Sequence, residues 1–255
     1  MIDEASHAIS DRLVELAGIE RGSRVLDIAA GYGEPTLAAA RKAGPDGLVI
    51  ASDIAGEMIA FGRERAAAAG VTTIQFIERE AAALQFPDHS FDAAVSRWGI
   101  IFEPEAEAAA RRVRRFLKHG GRFAISSWGP PERVPLLAIP MRAAAARLQL
   151  PPPPPGAPGP LSRSTPDALR ALLDAGGFSD VHVEEAEVTY EFESAAEFAE
   201  FTMDVGAPLK ALLAPRPAHV QEDVWSAVAQ AAEEAAAGGG SVTFTNLALL
   251  ASGRA

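Results

Sequence analysis

The sequence predicts an α/β protein with a Rossmann-like, doubly wound sheet of seven mostly parallel strands and a helical lid. Three observations predict this fold class. Apolar, β-branched runs alternate with helical patterns from Arg24 to Trp128. The first apolar run stops at two glycines that are one residue apart. Acidic residues follow the first three runs, at the end of the sheet where such folds bind their ligands.

The elements follow one another in the order that βαβ units require. Apolar residues at helical spacing predict an amphipathic first helix over residues 3–17. The later helices are expected near 34–43, 56–69, 104–117, 136–149, 166–175, 195–213 and 217–236. The strands are expected at 24–28, 48–53, 73–77, 91–96, 121–127, 180–192 and 241–251.

The organisation of the chain predicts one domain over residues 1–255, a length that can bury a large core. Three segments lie outside the predicted sheet, and we expect them to form a lid: 1–17, 129–160 and 194–237. The proline run that begins at Pro151 cannot continue a helix, which predicts a stiff connector within the second segment.

Composition and charge narrow the classes of function. The net charge of −11 disfavours broad attraction to nucleic acid or to anionic membranes. The absence of cysteine excludes disulfides, thiolate metal sites and a cysteine nucleophile, and it fits a reducing cytosol. Neither a signal-peptide pattern nor a long uncharged apolar stretch is present. We therefore expect a cytoplasmic protein, monomeric or homodimeric, without a metal site, that acts on a small molecule.

Residues 25–33 predict a strand, a tight turn and a helix that faces a ligand. Gly31 and Gly33 can adopt positive φ angles and allow close approach of a bound molecule. A helix is expected from Glu34, with Pro35 in its first turn. This arrangement is typical of a binding site for a nucleotide-like cofactor at the carboxyl end of a strand. No G-K-S/T motif follows the glycines, which excludes a phosphate-loop NTPase.

The charges around this turn indicate which cofactor fits. A dinucleotide site would carry a third glycine where this chain has Thr36. Glu34 and Asp27 place two carboxylates where a pyrophosphate would approach, and they favour a sulfonium or ammonium group instead. Asp53 ends the second strand, 20 residues after Gly33, where a carboxylate can accept both hydroxyls of a ribose.

Four blocks of sequence, in this order, resemble class I S-adenosylmethionine-dependent methyltransferases: VLDIAAGYGEPTL, IASDI, REAAALQFPDHSFDAAVSRWGIIF and RRVRRFLKHGGRFAISSW. The resemblance covers roughly residues 20–130 and continues weakly through 164–184. It is strongest to the small-molecule branch that includes quinone-biosynthesis C-methyltransferases and natural-product O-methyltransferases. Two departures are Glu80, where aspartate is usual, and His119, where proline is common.

The resemblance implies a role for each matching residue. The methionine part of S-adenosylmethionine would be held by four residues, Asp27, Ala29, Gly31 and Gly33. Asp53 would bind the ribose. The adenine would be contacted by four others, Ile54, Met58, Glu80 and Ala81. The reacting sulfur would be bordered by Ser96, Arg97 and Trp98.

Catalytic candidates are few, because methyl transfer chiefly requires alignment of the acceptor and exclusion of water. His7, in the first helix, is a candidate general base, and a solvated helix histidine is its alternative. Arg97 either orients a phenolate or carboxylate or forms a structural ion pair. Trp98 is expected to border the acceptor.

The aromatic residues near the predicted strand ends favour a small hydrophobic or aromatic acceptor. We expect O-methylation slightly ahead of C-methylation, in natural-product biosynthesis. Two alternatives stay open: an NAD-dependent oxidoreductase, which Thr36 and the lack of a Tyr-x-x-x-Lys pair disfavour, and a non-catalytic cofactor-binding protein.

Overall fold

The computed structural model of the protein describes residues 2–151, 159–236 and 240–255. Seven strands run as β1 (Arg24–Ile28), β2 (Leu48–Asp53), β3 (Ile74–Glu78), β4 (Phe91–Arg97), β5 (Leu117–Trp128), β6 (Ser179–Phe192) and β7 (Val242–Arg254). The α-helices are α1 (Ile2–Leu16), α2 (Thr36–Ala43), α3 (Gly56–Ala68), α4 (Ala106–Phe116), α5 (Pro135–Leu148), α6 (Pro166–Ala175), α7 (Ala195–Val205), α8 (Ala207–Leu213) and α9 (Ala218–Ala235). Single 3₁₀ turns occur at Ala81–Ala83, Ile100–Phe102 and Pro131–Arg133.

The strands form one sheet in the order β3-β2-β1-β4-β5-β7-β6. The pairs β1–β2, β1–β4, β2–β3 and β4–β5 are parallel, and β5–β7 is antiparallel. This confirms the predicted doubly wound, mostly parallel sheet. The strand order reverses between β1 and β4, and sheets of this kind bind ligands at the carboxyl ends of the strands beside such a switch point.

The centre of the sheet is buried on both faces, because helices cover both. The exposed fractions of Val25, Leu26, Val49 and Val95 are 0%. Near-continuous apolar runs of this kind are expected for parallel strands that are covered on both sides. The apolar interior therefore fixes where the polar ends of β1, β2 and β4 lie.

The chain divides into two compact units, each made from several chain segments. One unit comprises Met1–Gly129, Pro158–Ala186 and Ala248–Ala255, and it contains β1–β5 with helices α1–α4 and α6. The other comprises Pro130–Ala157 and Glu187–Leu247, and it contains α5 and α7–α9. Its apolar core includes Ala144, Leu209, Leu213 and Val224.

Several element boundaries differ from the prediction, among them the starts of α2 and β5. Helix α2 begins at Thr36 and not at Glu34, because Pro35 occupies the N-cap position. Strand β5 begins at Leu117 and not at 121, because an irregularity between Phe91 and Ala93 of β4 lets the 118–121 stretch stay within the strand. The helix predicted over 195–213 is two helices, α7 and α8. Most of the predicted proline connector lies outside the described residues.

Among the described residues, no helix is both long enough and apolar enough to span a bilayer.

Candidate functional site

The glycine turn after β1 has the backbone that the sequence predicted. Gly31 and Gly33 have φ angles of +52° and +91°, in the region that glycine adopts without strain. Ala29 also has a positive φ, +56°, which is unusual for a residue with a Cβ atom. The chain is therefore held in a tight, strained path at the carboxyl end of the first strand.

Asp53 holds this turn in place. Its Oδ2 accepts a hydrogen bond from the Gly31 amide at 2.8 Å, and its Oδ1 accepts one from the Ala55 amide at 2.9 Å. The side chain thereby ties the end of β2 to the glycine turn and to the start of α3. A carboxylate oxygen has more than one acceptor site, so Asp53 keeps capacity for a further donor.

Asp27, at the end of β1, is fully buried. Its Oδ2 accepts a hydrogen bond from the Thr36 hydroxyl, and its Oδ1 has no partner among the described residues. Burial raises the pKa of Asp27 to about 7, against the opposing effects of the Thr36 hydrogen bond and the charge of Arg97. A buried carboxylate oxygen without a hydrogen-bond donor destabilises the folded protein, so Oδ1 of Asp27 is a candidate contact for a ligand that can donate.

Glu34 supplies a second unsatisfied acceptor. Its side chain is 1% exposed, and its Oε2 has no hydrogen-bond partner within the described part of the chain. Its Oε1 lies 3.8 Å from His7 Nε2 and 3.8 Å from Arg65 Nη2. Burial raises the pKa of Glu34, although nearby cations oppose the shift. Glu34 precedes α2 and does not lie in its first turn as predicted, because the helix begins two residues later.

Arg97, at the end of β4, is anchored on helix α1. Its Nη1 donates to Ser6 Oγ at 2.9 Å and to Ser10 Oγ at 3.1 Å. Its guanidinium lies 5.3 Å from the centre of the Trp98 ring. Of the two roles that the sequence left open, this geometry favours a structural one, with hydroxyl partners on α1.

Trp98 follows Arg97 in a strained conformation, with a φ of +49°. Its ring stacks on Trp128 with centroids 4.3 Å apart and planes 8° from parallel. Its backbone amide donates to Ser126 Oγ at 3.0 Å. The indole Nε1 is buried and has no acceptor among the described residues. Trp98 thus combines backbone strain with an unused donor, and such features cluster at functional sites.

Ser96 has a structural role in this geometry. Its hydroxyl donates to the Ile28 carbonyl at 2.9 Å and accepts from the Ile100 amide at 2.9 Å. It joins β4 to β1 and to the turn that follows. The prediction that it borders the reacting sulfur stays a prediction.

The residues expected around adenine lie on neighbouring elements. Ile54, directly after β2, is 69% exposed. Met58 is half-buried on α3, Glu80 is exposed after β3, and Ala81 begins the 3₁₀ turn. A large exposed aliphatic side chain at a strand end is suited to cover the face of a planar base.

Sequence reasoning missed three partners of the site. In the sequence, Thr36 was noted only because it replaces the third glycine of a dinucleotide-binding turn. In the structure, its hydroxyl donates a hydrogen bond to Asp27. Ser6 and Ser10 are buried hydroxyls four residues apart on α1, and that spacing on an apolar face was the available signal. Among the described residues, no group of three or more His, Cys, Asp or Glu is placed to hold a metal ion.

Comparison with known proteins finds a matching domain over part of the chain. Residues 25–121 match the model of a methyltransferase domain family. The ubiquinone/menaquinone biosynthesis C-methyltransferase UbiE of Azotobacter vinelandii is 39% identical over 119 residues, which is 46% of this chain and 47% of the relative. The chain therefore spans about half the length of the curated relatives it matches.

Solved structures share the fold at low sequence identity. YcgJ from Bacillus subtilis has a TM-score of 0.62 and 22% identity, with 97% of this chain and 98% of that chain covered. The [4+2]-cyclase SpnF has a TM-score of 0.61 and 20% identity, with 96% and 80% covered. The Rossmann-like fold is thereby confirmed. The resemblance to class I S-adenosylmethionine-dependent methyltransferases is confirmed by the matching domain.

Proposed function

Proceeding from the methyltransferase domain over residues 25–121, we propose that the protein transfers a methyl group from S-adenosylmethionine to a small, fairly hydrophobic acceptor. One observation carries the proposal: beside the glycine turn, Asp27 and Glu34 each present a buried carboxylate oxygen that has no hydrogen-bond donor among the described residues. A cofactor with an ammonium and a sulfonium group supplies the missing positive charge, whereas a pyrophosphate would add like charge.

The cofactor site in this proposal follows the geometry of the strand ends. Asp27, with Ala29, Gly31 and Gly33, would hold the methionine part, and Asp53 the ribose. Asp53 can take this role while it keeps its two backbone donors, because each carboxylate oxygen has two lone-pair sites. The adenine would lie near Ile54, Met58, Glu80 and Ala81, and Ser96 would lie near the sulfur.

When bound, S-adenosylmethionine supplies a methyl carbon that is already activated for displacement. The chain's own residues must then orient the acceptor, exclude water and take up a proton where the acceptor needs it. Trp98 supports the first task, because its buried indole N–H can donate to an oxygen of the acceptor. Arg97 acts here as a positioning residue that holds α1 beside the end of β4.

His7 stays our candidate for the general base. Its Nε2 lies 3.8 Å from Glu34 Oε1, and its side chain is 46% exposed, so it can exchange a proton with solvent. In this role His7 would take up the proton that leaves a phenol or enol acceptor.

The acceptor in this proposal is a phenol or enol. Once deprotonated, such a group is nucleophilic at its oxygen and at the adjacent carbon, so placement of the acceptor decides which atom is methylated. The residues alone favour oxygen slightly, and the name of the UbiE relatives, C-methyltransferase, supports carbon. The position of a ¹³C-methyl label in the product, read by NMR, distinguishes the two.

The remaining expectations belong to the same proposal. The segments 1–17, 129–160 and 194–237 would act as a lid on one methyltransferase domain. The protein would work in the cytoplasm, in natural-product biosynthesis, as a monomer or homodimer. Protection of the three segments from limited proteolysis by S-adenosylhomocysteine tests the lid.

Calorimetry with S-adenosylhomocysteine and with NAD tests the proposed function. We expect S-adenosylhomocysteine to bind and NAD to give no heat. Binding of NAD alone would replace the proposal with the oxidoreductase alternative. Binding of S-adenosylhomocysteine, with no loss of methyl donor in the presence of any member of a phenol and quinol panel, would favour the non-catalytic alternative.

A further inference from the structure

A basic cleft lies at the amino end of β4, away from the carboxyl ends where the candidate site lies. It has a volume of about 500 Å³, within the range of small-molecule sites. Its basic side chains come from the turn before β4, the second half of α4 and the start of β5: His89, Arg111, Arg114, Arg115, Lys118 and His119. Its wall is completed by Leu117, Ala175, Gly176, Gly177 and Ala255, so every lining residue belongs to one compact unit.

Two of the four permanent cations in the basic cleft have carboxylate partners. Arg115 pairs with Asp88 at 2.9 Å, and Lys118 pairs with Asp92 at 2.6 Å. Arg111 donates to the Ala175 carbonyl at the end of α6, a neutral group. The Arg114 guanidinium has no hydrogen-bond or ion-pair partner in the part of the chain that the structure describes.

The basic cleft therefore has an excess of side-chain positive charge in a chain whose net charge is −11. Arg111 and Arg114 are three residues apart on α4, so their guanidinium groups lie on the same helix face. Two guanidinium groups on one face match the oxygens of a phosphate group, which they bind through charge-assisted, bidentate hydrogen bonds.

Two stacked imidazoles form another part of the wall. The rings of His89 and His119 are 4.5 Å apart, with planes 25° from parallel. His89 Nδ1 lies 2.9 Å from the Leu117 carbonyl, which can only accept, so this nitrogen carries the proton. The Nε2 atom of His89 is then the nitrogen left for a ligand, as an acceptor or, when protonated, as a third donor to an anion.

We propose that the basic cleft binds a small phosphorylated anion with at least two phosphate oxygens for Arg111 and Arg114. The site is separate from the proposed cofactor site and does not depend on the proposed function. Its size and its mixture of free and paired cations suit a compact ligand. A long nucleic acid would meet the surrounding negative charge of the chain.

The test uses inorganic pyrophosphate as the probe and the full chain at about 50 mM salt, where screening is weak. Calorimetry measures affinity, and NMR of ¹³C-labelled histidine reports the site, because the chain has only five histidines. We expect binding that shifts the signals of His89 and His119 and leaves His7, His182 and His219 unchanged. No heat with millimolar pyrophosphate, or shifts confined to the other three histidines, would overturn the proposal.

Substitution of the two arginines tests whether they contribute to pyrophosphate binding. The double variant Arg111→Gln/Arg114→Gln should weaken pyrophosphate binding by about tenfold or more, as expected for losing hydrogen bonds to a charged group. The matched control is the double variant Arg21→Gln/Arg216→Gln, because it removes two exposed cations outside the basic cleft. Equal loss in both variants would show nonspecific charge attraction. A 20-nucleotide RNA that binds more tightly than pyrophosphate, with the same dependence on Arg111 and Arg114, would replace the small anion with nucleic acid.

S-adenosylhomocysteine separates the two proposals in the same samples. Its binding should be unchanged by the double variant, which also confirms that the variant is folded. If S-adenosylhomocysteine fails to bind the native chain while pyrophosphate shifts His89 and His119, the proposed function fails and the basic cleft stands.

Discussion

Replacement of Asp27 by asparagine tests the electrostatics of the candidate site most fully. Asparagine has nearly the same shape, and its oxygen can still accept from Thr36, but it cannot ionise. Burial raises the pKa of Asp27 from 3.8 to about 7 in the folded protein. The native state therefore keeps a proton that the unfolded chain has released between about pH 4 and about pH 7.

The sign and size of the effect follow from this difference in proton binding. Because the native state binds more protons, the free energy of unfolding falls as pH rises through this window. From pH 5 to pH 8 the Asp27 contribution amounts to a loss of about 2–3 kcal/mol in the native protein. Asp27→Asn removes this loss, so its stability relative to the native protein should rise by the same amount across the window.

Urea unfolding at pH 5, 6, 7 and 8 measures the difference, with Asp46→Asn as a control at an exposed carboxylate. The same variant should bind S-adenosylhomocysteine at least about tenfold more weakly, because a charged acceptor is lost. Parallel stability curves for the native protein and Asp27→Asn, with equal ligand affinity, would refute the reasoning. A variant that is more stable and binds the ligand more weakly is the expected result when the native residue serves function at a cost in stability.

Three other substitutions test the geometry around this carboxylate. Asp53→Ala removes the acceptor for the Gly31 amide in the glycine turn and for the Ala55 amide at the start of α3. Calorimetry should show at least a tenfold loss of S-adenosylhomocysteine affinity, about what lost charged hydrogen bonds cost. Unchanged affinity would contradict the role of Asp53. Arg97→Met removes the donor to two hydroxyls on α1, so amide hydrogen exchange in α1 should become faster. Equal protection of the α1 amides in the variant and the native protein would show that this anchor is unimportant. Gly99→Ala places a Cβ atom 2.5 Å from the Ala29 side chain, and urea unfolding should show a loss of about 1–3 kcal/mol, whereas a neutral change would mean that the turn can relax.

The fold could be predicted well from the sequence because its signals are local. The alternation of apolar runs with helical patterns identified β1–β5, and later extended patterns identified β6 and β7. The glycines at 31 and 33 located the turn with positive φ angles. The start of β5 was predicted wrongly, because it depends on pairing with the neighbouring strand β4. Leu117 joins β5 because it pairs with Phe91 across an irregular register, and no local pattern in 117–121 reveals that pairing.

The candidate site was predicted less completely, since the missing part depends on contacts between distant elements. Asp27 was identified from its place at a strand end, whereas its partner Thr36 becomes visible only when α2 packs beside β1. Arg97 was expected to face either an acceptor or an acidic partner, and it contacts hydroxyls of α1, 87 to 91 residues away. Side-chain partners across such separations are set by tertiary packing, which local sequence patterns do not encode.

A crystal structure with S-adenosylhomocysteine tests the central claim most directly. The account predicts that the ligand lies across the carboxyl ends of β1 and β2, with its ribose hydroxyls within hydrogen-bond distance of Asp53. Its amino group should lie on the side of the turn where Asp27 and Glu34 have oxygens without a hydrogen-bond donor in the described part of the chain. An empty site at high ligand concentration, or a site occupied by a pyrophosphate-containing cofactor, would contradict the account.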